Sequence, residues 1–346
     1  MRAWIIAIAI LLVVGTWTAA ADVLRFAEGQ KVLPKPGAHV IDGDETVDSD
    51  QFSVPWTIHA VEGERLLVGD GRKGWVECSQ IVGLEEAPAY FTQFINSKQF
   101  KSNRHKAWAC YCRAAALQQA GEFERAVADF DEAIRLDSDR AAAYMARGGV
   151  REEQKDYDKA VSDYDEALRL DPKYPLATER LARAHEARGR AWAEKNDFDR
   201  AIADFGEVIR LDSSSTFARN FRGWAWTKKK QYGKAIADFD EALRIEPDDC
   251  AALNNAAWLR ATCPEEHIRD GRAAVKMATK AAGLSGGESY AWLDTLAAAC
   301  AEVGDFDAAV KHQNRAIDLN PRDEDFVKEA QERLALYKDH KPYREE

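Results

Sequence analysis

The chain has 346 residues, a net charge of −11 from 48 basic and 59 acidic side chains, and 46% hydrophobic residues. That length calls for two or three units or a repeat array rather than one small core. Acids and bases are interspersed, and no basic stripe of the kind that neutralises phosphates is visible, which argues against nucleic acid as a partner. The local run Lys228, Lys229 and Lys230 reads as a solvated helix end.

Residues 1–21 have the three parts of a secretory signal. Arg2 supplies positive charge, residues 3–14 an apolar run, and Ala19, Ala20 and Ala21 small residues suited to cleavage before Asp22. The rival reading is a signal anchor, because the largely apolar stretch 3–21 is just long enough to span a bilayer. The protein is therefore expected to be exported, in the periplasm or cell envelope, with a membrane partner only through an uncleaved 3–21. Six cysteines would invite disulfides in such a compartment. Cys110 and Cys112 stand two apart on a predicted helix and so point to different faces. Most of the cysteines read as small buried hydrophobes, and a Cys263–Cys300 bridge stays open.

Residues 22–86 are rich in Val, Gly and turn signals, and five short runs read as strands: 23–26, 38–41, 56–61, 66–68 and 75–78. Five strands in so short a stretch imply a small closed barrel. The order from Trp56 onward is strand, turn, strand, a Gly-Asp-Gly hairpin at 69–71, Gly74-Trp75-Val76, a one-turn helix and a last short strand. This resembles the second half of a bacterial SH3-like domain. Eukaryotic relatives of that fold hold proline-rich peptides in an aromatic groove. By the resemblance, the groove positions fall at Arg65, Leu66, Cys78 and Ile81, so that chemistry is largely missing. Trp56 and Trp75 are the candidate ligand-stacking surface of this module, against the alternative that they close its core. Residues 87–104 read as a linker helix whose Tyr90, Phe91, Phe94 and Ile95 face the first repeat.

From residue 105 to 321 one motif returns: GEFERAVADFDEAIRLD at 121–137, then 155–172, 196–212, 231–247 and 304–321. Its marker alanine falls at Ala126, Ala160, Ala201, Ala235, Ala274 and Ala309, with gaps of 34, 41, 34, 39 and 35. Small and aromatic residues sit at fixed offsets: Gly148, Tyr157, Ala160, Tyr164 and Ala167 in the second copy, Gly223, Tyr232, Ala235, Phe239 and Ala242 in the fourth. The period and pattern resemble the tetratricopeptide repeat. The fold class expected is thus an α-helical solenoid of about six helix-turn-helix units plus a capping helix, preceded by the small all-β SH3-like barrel.

In each unit the small residue of the first helix should let the second approach, with the aromatic filling the wedge. Glu122, Asp156, Asp197 and Asp305 favour the positive start of the second helices. The remaining acids of the DFDEA runs are expected mostly to be solvated on the convex side. The gap of 41 exceeds the basic period by nearly two helical turns, so it should lengthen one first helix over 175–194. Pro264 should stop a helix near Thr262, with a loop through His267 and a new helix near Asp270. Residues 322–338 read as an amphipathic cap with Phe326, Ala330, Leu334 and Tyr337 on one face, and 339–346 as a frayed tail.

No GxSxG, HExxH, P-loop or GxGxxG occurs, and the seven histidines are scattered. The reading is non-enzymatic, with no catalytic residue, metal or small-molecule cofactor. The resemblance implies a groove lined by first helices. Its ligand-facing positions map to Trp108, Tyr111, Met145, Glu152, Glu186, Arg190, Asn220, Trp224, Lys228, Asn254, Trp258 and Asp294. The function expected is a protein-interaction scaffold in the cell envelope, holding an unidentified protein or peptide on the concave face. The alternative is recognition of cell-wall glycan or peptide by the 22–86 module, with the repeats as spacer.

Overall fold

The computed structural model describes residues 30–35, 38–42, 45–48, 56–62, 65–68, 73–77, 81–97, 100, 102–284, 286 and 289–345. The signal-like segment 1–21, the predicted strand 23–26, Cys78 and the one-turn helix expected after β6 lie outside them. The chain forms two compact units, residues 1–177 and 178–346.

Among the described residues the first unit opens with seven short strands: β1 (Lys31–Pro34), β2 (His39–Asp42), β3 (Glu45–Asp48), β4 (Trp56–Glu62), β5 (Arg65–Val68), β6 (Gly74–Glu77) and β7 (Ile81–Gly83). All neighbours are antiparallel, in the order β3-β2-β6-β5-β4-β1-β7. Two small sheets share β4. Its start pairs with β1 through Trp56 and Thr57, and the rest pairs with β5. A register shift between Ile58 and Ala60 marks the bulge at which one strand bends to serve both partners. Trp56, Ile58, Val68 and Val76 are buried together with Val32 and Leu33 of β1. Two strands exceed expectation for a physical reason. β1 ends in a proline, and β3 reads ETVD, so neither shows the apolar alternation that marks a strand.

Fourteen α-helices follow among the described residues. Helix α1 (Ala87–Ser97) lays Phe91 into the core of the first repeat, with Tyr90, Phe94 and Ile95 packed around it. The helical hairpins are α2 (Asn103–Gln119) with α3 (Phe123–Leu136), α4 (Ala141–Glu153) with α5 (Tyr157–Leu170), and α6 (Ala177–Glu194) with α7 (Phe198–Leu211). They continue as α8 (Thr216–Lys228) with α9 (Tyr232–Ile245), α10 (Cys250–Thr262) with α11 (Gly271–Leu284), and α12 (Tyr290–Glu302) with α13 (Phe306–Leu319). Helix α14 (Glu324–Lys338) covers the last hairpin with Ala330, Leu334 and Tyr337 buried. Side chains of Asp156, Asp197 and Asp305 each accept the N–H three residues on, as N-caps do. Glu122 makes no such bond.

The irregular spacings fall where expected. The long first helix α6 runs for 18 residues. After α10 stops at Thr262, a 3-10 turn (Glu266–Ile268) carries the chain to α11. Cys263 and Cys300 are both free, as are Cys110, Cys112 and Cys250, so the bridge left open does not form. Burial pushes the Cys110 and Cys300 thiols up to about 11, leaving them protonated at neutral pH.

Two contacts recur, both in the second to fourth hairpins and the second of the two in the first hairpin as well. The first is an aromatic ring pressed on a glycine. A Cβ at Gly223 would stand 2.6 Å from the Phe239 ring, and one at Gly148 would stand 2.7 Å from Tyr164. The second corrects the expectation that the repeat's acids are solvated. The aspartate before each aromatic (Asp129, Asp163, Asp204 and Asp238) is buried. Each takes a forked bond from an arginine on the preceding helix. Arg113 Nε and Nη2 donate to Asp129 at 2.6 Å. Arg188 donates to Asp204 at 2.9 and 2.7 Å, and Arg222 to Asp238 at 2.8 and 2.7 Å. Arg147 reaches Asp163 at 2.6 Å, where Arg151 joins at 2.7 Å. At Asp204 burial works to raise the carboxyl, but bonds from His185 and Arg188 overturn it and hold it below the ordinary range. In the fifth hairpin Met277 stands where the aspartate would be. Ala256 stands where the arginine would be, so no fork forms, and Arg260, one turn further on, binds Asp240 of α9 at 2.8 Å.

Gly223→Ala should lower stability by about 1–3 kcal/mol in urea unfolding, because its Cβ has no room. Gly233→Ala in the same hairpin meets nothing within 4 Å and should stabilise by up to about 1 kcal/mol.

Candidate functional site

With the second helices and the Arg–Asp forks committed to the frame, the irregular residues of the first helices remain. In the unit 178–346 they surround an open pocket of about 400 Å³. Helix α6 supplies Arg190, Ala193 and Glu194, α8 supplies Asn220, Phe221 and Trp224, and α10 supplies Ala251 and Asn255. Helical spacing puts Asn220 and Trp224 one turn apart on one face of α8. Trp224 is half-buried, edge-on to Phe198 at 5.6 Å, with the Lys228 ammonium 5.9 Å from its ring. Asn220 is buried. Its Nδ2 donates to Asp249 at 2.9 Å, and its Oδ1 has no hydrogen-bond partner among the described residues. The Asn254 Oδ1 is in the same state. An apolar wall beside an exposed guanidinium makes a surface that can seat an apolar side chain and pair one carboxylate.

The structure brings together Arg190, Asn220 and Trp224 of the residues marked from sequence. Glu186 lies one turn from Arg190 at 3.9 Å, and burial raises its carboxyl. Others serve different ends. Trp108 and Tyr111 are buried in the first hairpin, stacked at 5.5 Å, with the Arg140 guanidinium 5.0 Å from Trp108. These two are core, because Tyr111 packs on Phe130 at 5.7 Å and Arg140, at the start of α4, lies over Trp108. Glu152 accepts the Tyr164 hydroxyl at 2.7 Å, and Met145, seven residues earlier on α4, is half-buried. Asp294 is buried, accepting from Gln313 Nε2 at 2.6 Å and from Arg333 Nε at 3.0 Å, so α14 closes this position. Trp56 is fully buried in the β region and offers no stacking face. The Trp75 side chain lies outside the described residues, although its backbone pairs with Ile41 and Leu67.

Trp258 and Lys228 meet a neighbour the sequence did not announce. Residues 341–345, expected to fray, fold back against α10. Trp258 Nε1 donates to Glu345 Oε2 at 2.9 Å, and Lys228 Nζ lies 4.0 Å from the same carboxylate. Among the described residues no group of three or more His, Cys, Asp or Glu is placed to hold a metal ion, and no helix is long and apolar enough to cross a membrane.

A family model described as tetratricopeptide repeat matches residues 113–175, 156–215 and 186–249, and a second model of the same description matches 293–323. These segments are tetratricopeptide repeats. The fifth hairpin, in which Met277 replaces the aspartate, lies outside them. No curated protein matches the chain. Among solved structures, the C-terminal part of a tetratricopeptide-containing protein of Cytophaga hutchinsonii is 17% identical at TM-score 0.47, covering 71% of this chain and 93% of that one. The pilF protein of Pseudomonas aeruginosa is 18% identical at TM-score 0.42, covering 72% and 98%. YrrB, described as a tetratricopeptide protein with an unusual peptide-binding site, is 19% identical at TM-score 0.35, covering 70% and 97%.

Stacked tetratricopeptide repeats expose an extended surface on their first helices for protein partners. The division between that surface and the frame is measurable. Arg190→Ala should change the urea-unfolding free energy by less than about 0.5 kcal/mol, whereas Trp108→Ala should cost about 3–5 kcal/mol.

Proposed function

We propose that the protein is a non-enzymatic interaction scaffold of the cell envelope that holds a peptide segment of a protein partner on the first-helix face of residues 178–346. The observation that carries this reading is the pocket between α6, α8 and α10. It joins an exposed Arg190 to a half-buried Trp224. An aromatic anchor beside an exposed cation is what a partner's apolar side chain and carboxylate can engage. Export is supported by Arg2, the apolar stretch 3–14 and the small residues Ala19–Ala21 before Asp22.

We read residues 22–86 as an SH3-like module in the same proposal. The β4–β5–β6 meander and the pairing of the last strand with β1 support it. Wall recognition through that module is the weaker alternative, because Trp56 is buried.

A photo-crosslinking residue placed at position 190 should capture a protein partner in envelope extracts, and Trp224→Ala should reduce capture at least about tenfold, the scale of one anchor residue. The same group at Arg169, on the second-helix side, should capture none. Equal capture at both positions, or none at either, contradicts the reading.

A further inference from the structure

The segment after α14 does not trail into solvent. The chain reverses at His340, which takes the left-handed conformation at φ 55, and Lys341 N–H donates to Leu336 O at 2.9 Å. From there residues 342–345 run back across α10 by contacts of three kinds. The Tyr343 ring stands 5.9 Å from Trp258, and the Arg333 guanidinium lies 5.6 Å from each of the two rings. Arg344 Nη2 pairs with Glu302 at 2.6 Å, and its Nη1 lies 3.4 Å from Ala261 O. Glu345 N–H donates to Thr262 O at 2.9 Å while its carboxylate accepts the Trp258 indole N–H.

None of these partners belongs to the hairpin frame of glycine, aromatic and Arg–Asp fork. Trp258 and Lys228 are first-helix residues of the same positional class as Trp224. The segment therefore sits as a bound peptide would: an aromatic between a tryptophan and a cation, a guanidinium on a half-buried carboxylate, and a backbone N–H and an acid on the end of a helix.

We propose that residues 341–345 are a built-in occupant of the first-helix groove, and that this groove takes an extended outside peptide of the same aromatic–arginine–acid order in competition with them. The inference rests on the scaffold reading above and names both the ligand chemistry and its regulation. A tethered occupant acts at a high effective concentration, so an outside peptide binds only to the fraction of molecules in which the segment has left. The fixed partners Trp258, Arg333, Glu302 and the Thr262 carbonyl decide which peptides can replace it. Charge order matters as well, because an acid must face Lys228 and a base must face Glu302.

The test uses a labelled synthetic peptide of the sequence Lys-Pro-Tyr-Arg-Glu-Glu, followed by fluorescence anisotropy. A chain ending at His340 should bind it at least about tenfold more tightly than the full chain, the scale on which tethering competes. Adding Trp258→Ala to the shortened chain should abolish that binding. In the full chain, Tyr343→Ala combined with Glu345→Ala should recover most of the gain, and this variant stands in if the shortened chain does not fold. Equal affinity for the full and released chains, or binding indifferent to Trp258→Ala, overturns the proposal. Crosslinking at position 190 in the same variants keeps the two readings apart. Capture there without peptide binding sinks only the self-occupied groove, whereas loss of capture in every variant sinks the scaffold reading.

Discussion

The forked bond between an arginine of one helix and the buried aspartate of the next is the interaction on which each complete hairpin depends. It recurs at Arg113–Asp129, Arg147–Asp163, Arg188–Asp204 and Arg222–Asp238, each pair separated by the same 16 residues. A buried carboxylate left alone would be strongly destabilising, and two parallel N–H bonds are the geometry that compensates it best. The fork also fixes register, because the arginine lies one residue before the small residue (Ala114, Gly148, Gly189 or Gly223) and the aspartate one before the aromatic. Ring on glycine and fork on carboxylate can be satisfied only together. The fifth hairpin shows the rule by its exception. There Ala256 and Met277 stand in place of the arginine and the acid, so both partners are lost together, and Arg260, one turn further along α10, binds Asp240 of the preceding hairpin.

That frame leaves the functional surface to residues it does not use. The repeat's conserved-looking runs are spent on packing, while Arg190, Asn220, Trp224 and Trp258 lie outside the packing motif. In the 178–346 unit these irregular side chains line the open pocket or hold residues 341–345. In the 1–177 unit the same positions are occupied otherwise. Arg140 at the start of α4 lies over Trp108, and Tyr111 packs on Phe130, so both become core. A positional rule for ligand contact thus holds only where no other element of the chain lies over the position.

Much of the fold was legible in the residues. The marker alanines gave the hairpins, the gap of 41 gave the long α6, and Pro264 gave the end of α10. These signals are local and periodic, and they survive tertiary context. The aspartates were misjudged because an acid on an amphipathic helix reads as solvated until its partner, 16 residues upstream, is brought opposite. The signal was present all the same: an arginine before each small residue and an aspartate before each aromatic. In the β region, strands of four residues with Pro34 or with two acids in ETVD carry too little alternation to be seen. The folded-back segment could not be read at all, since KPYRE has no periodicity and its partners come from four different helices.

The measurement that bears most directly on this account is a double-mutant cycle across Arg222 and Asp238, with the exposed pair Glu241–Arg244 as reference. If the forks hold the frame, the first pair should couple by about 1–3 kcal/mol in urea unfolding, and the second by less than about 0.5 kcal/mol, as surface i,i+3 pairs do. Coupling that is equal and small in both would mean that the forks are incidental and that the hairpins stand on apolar packing alone.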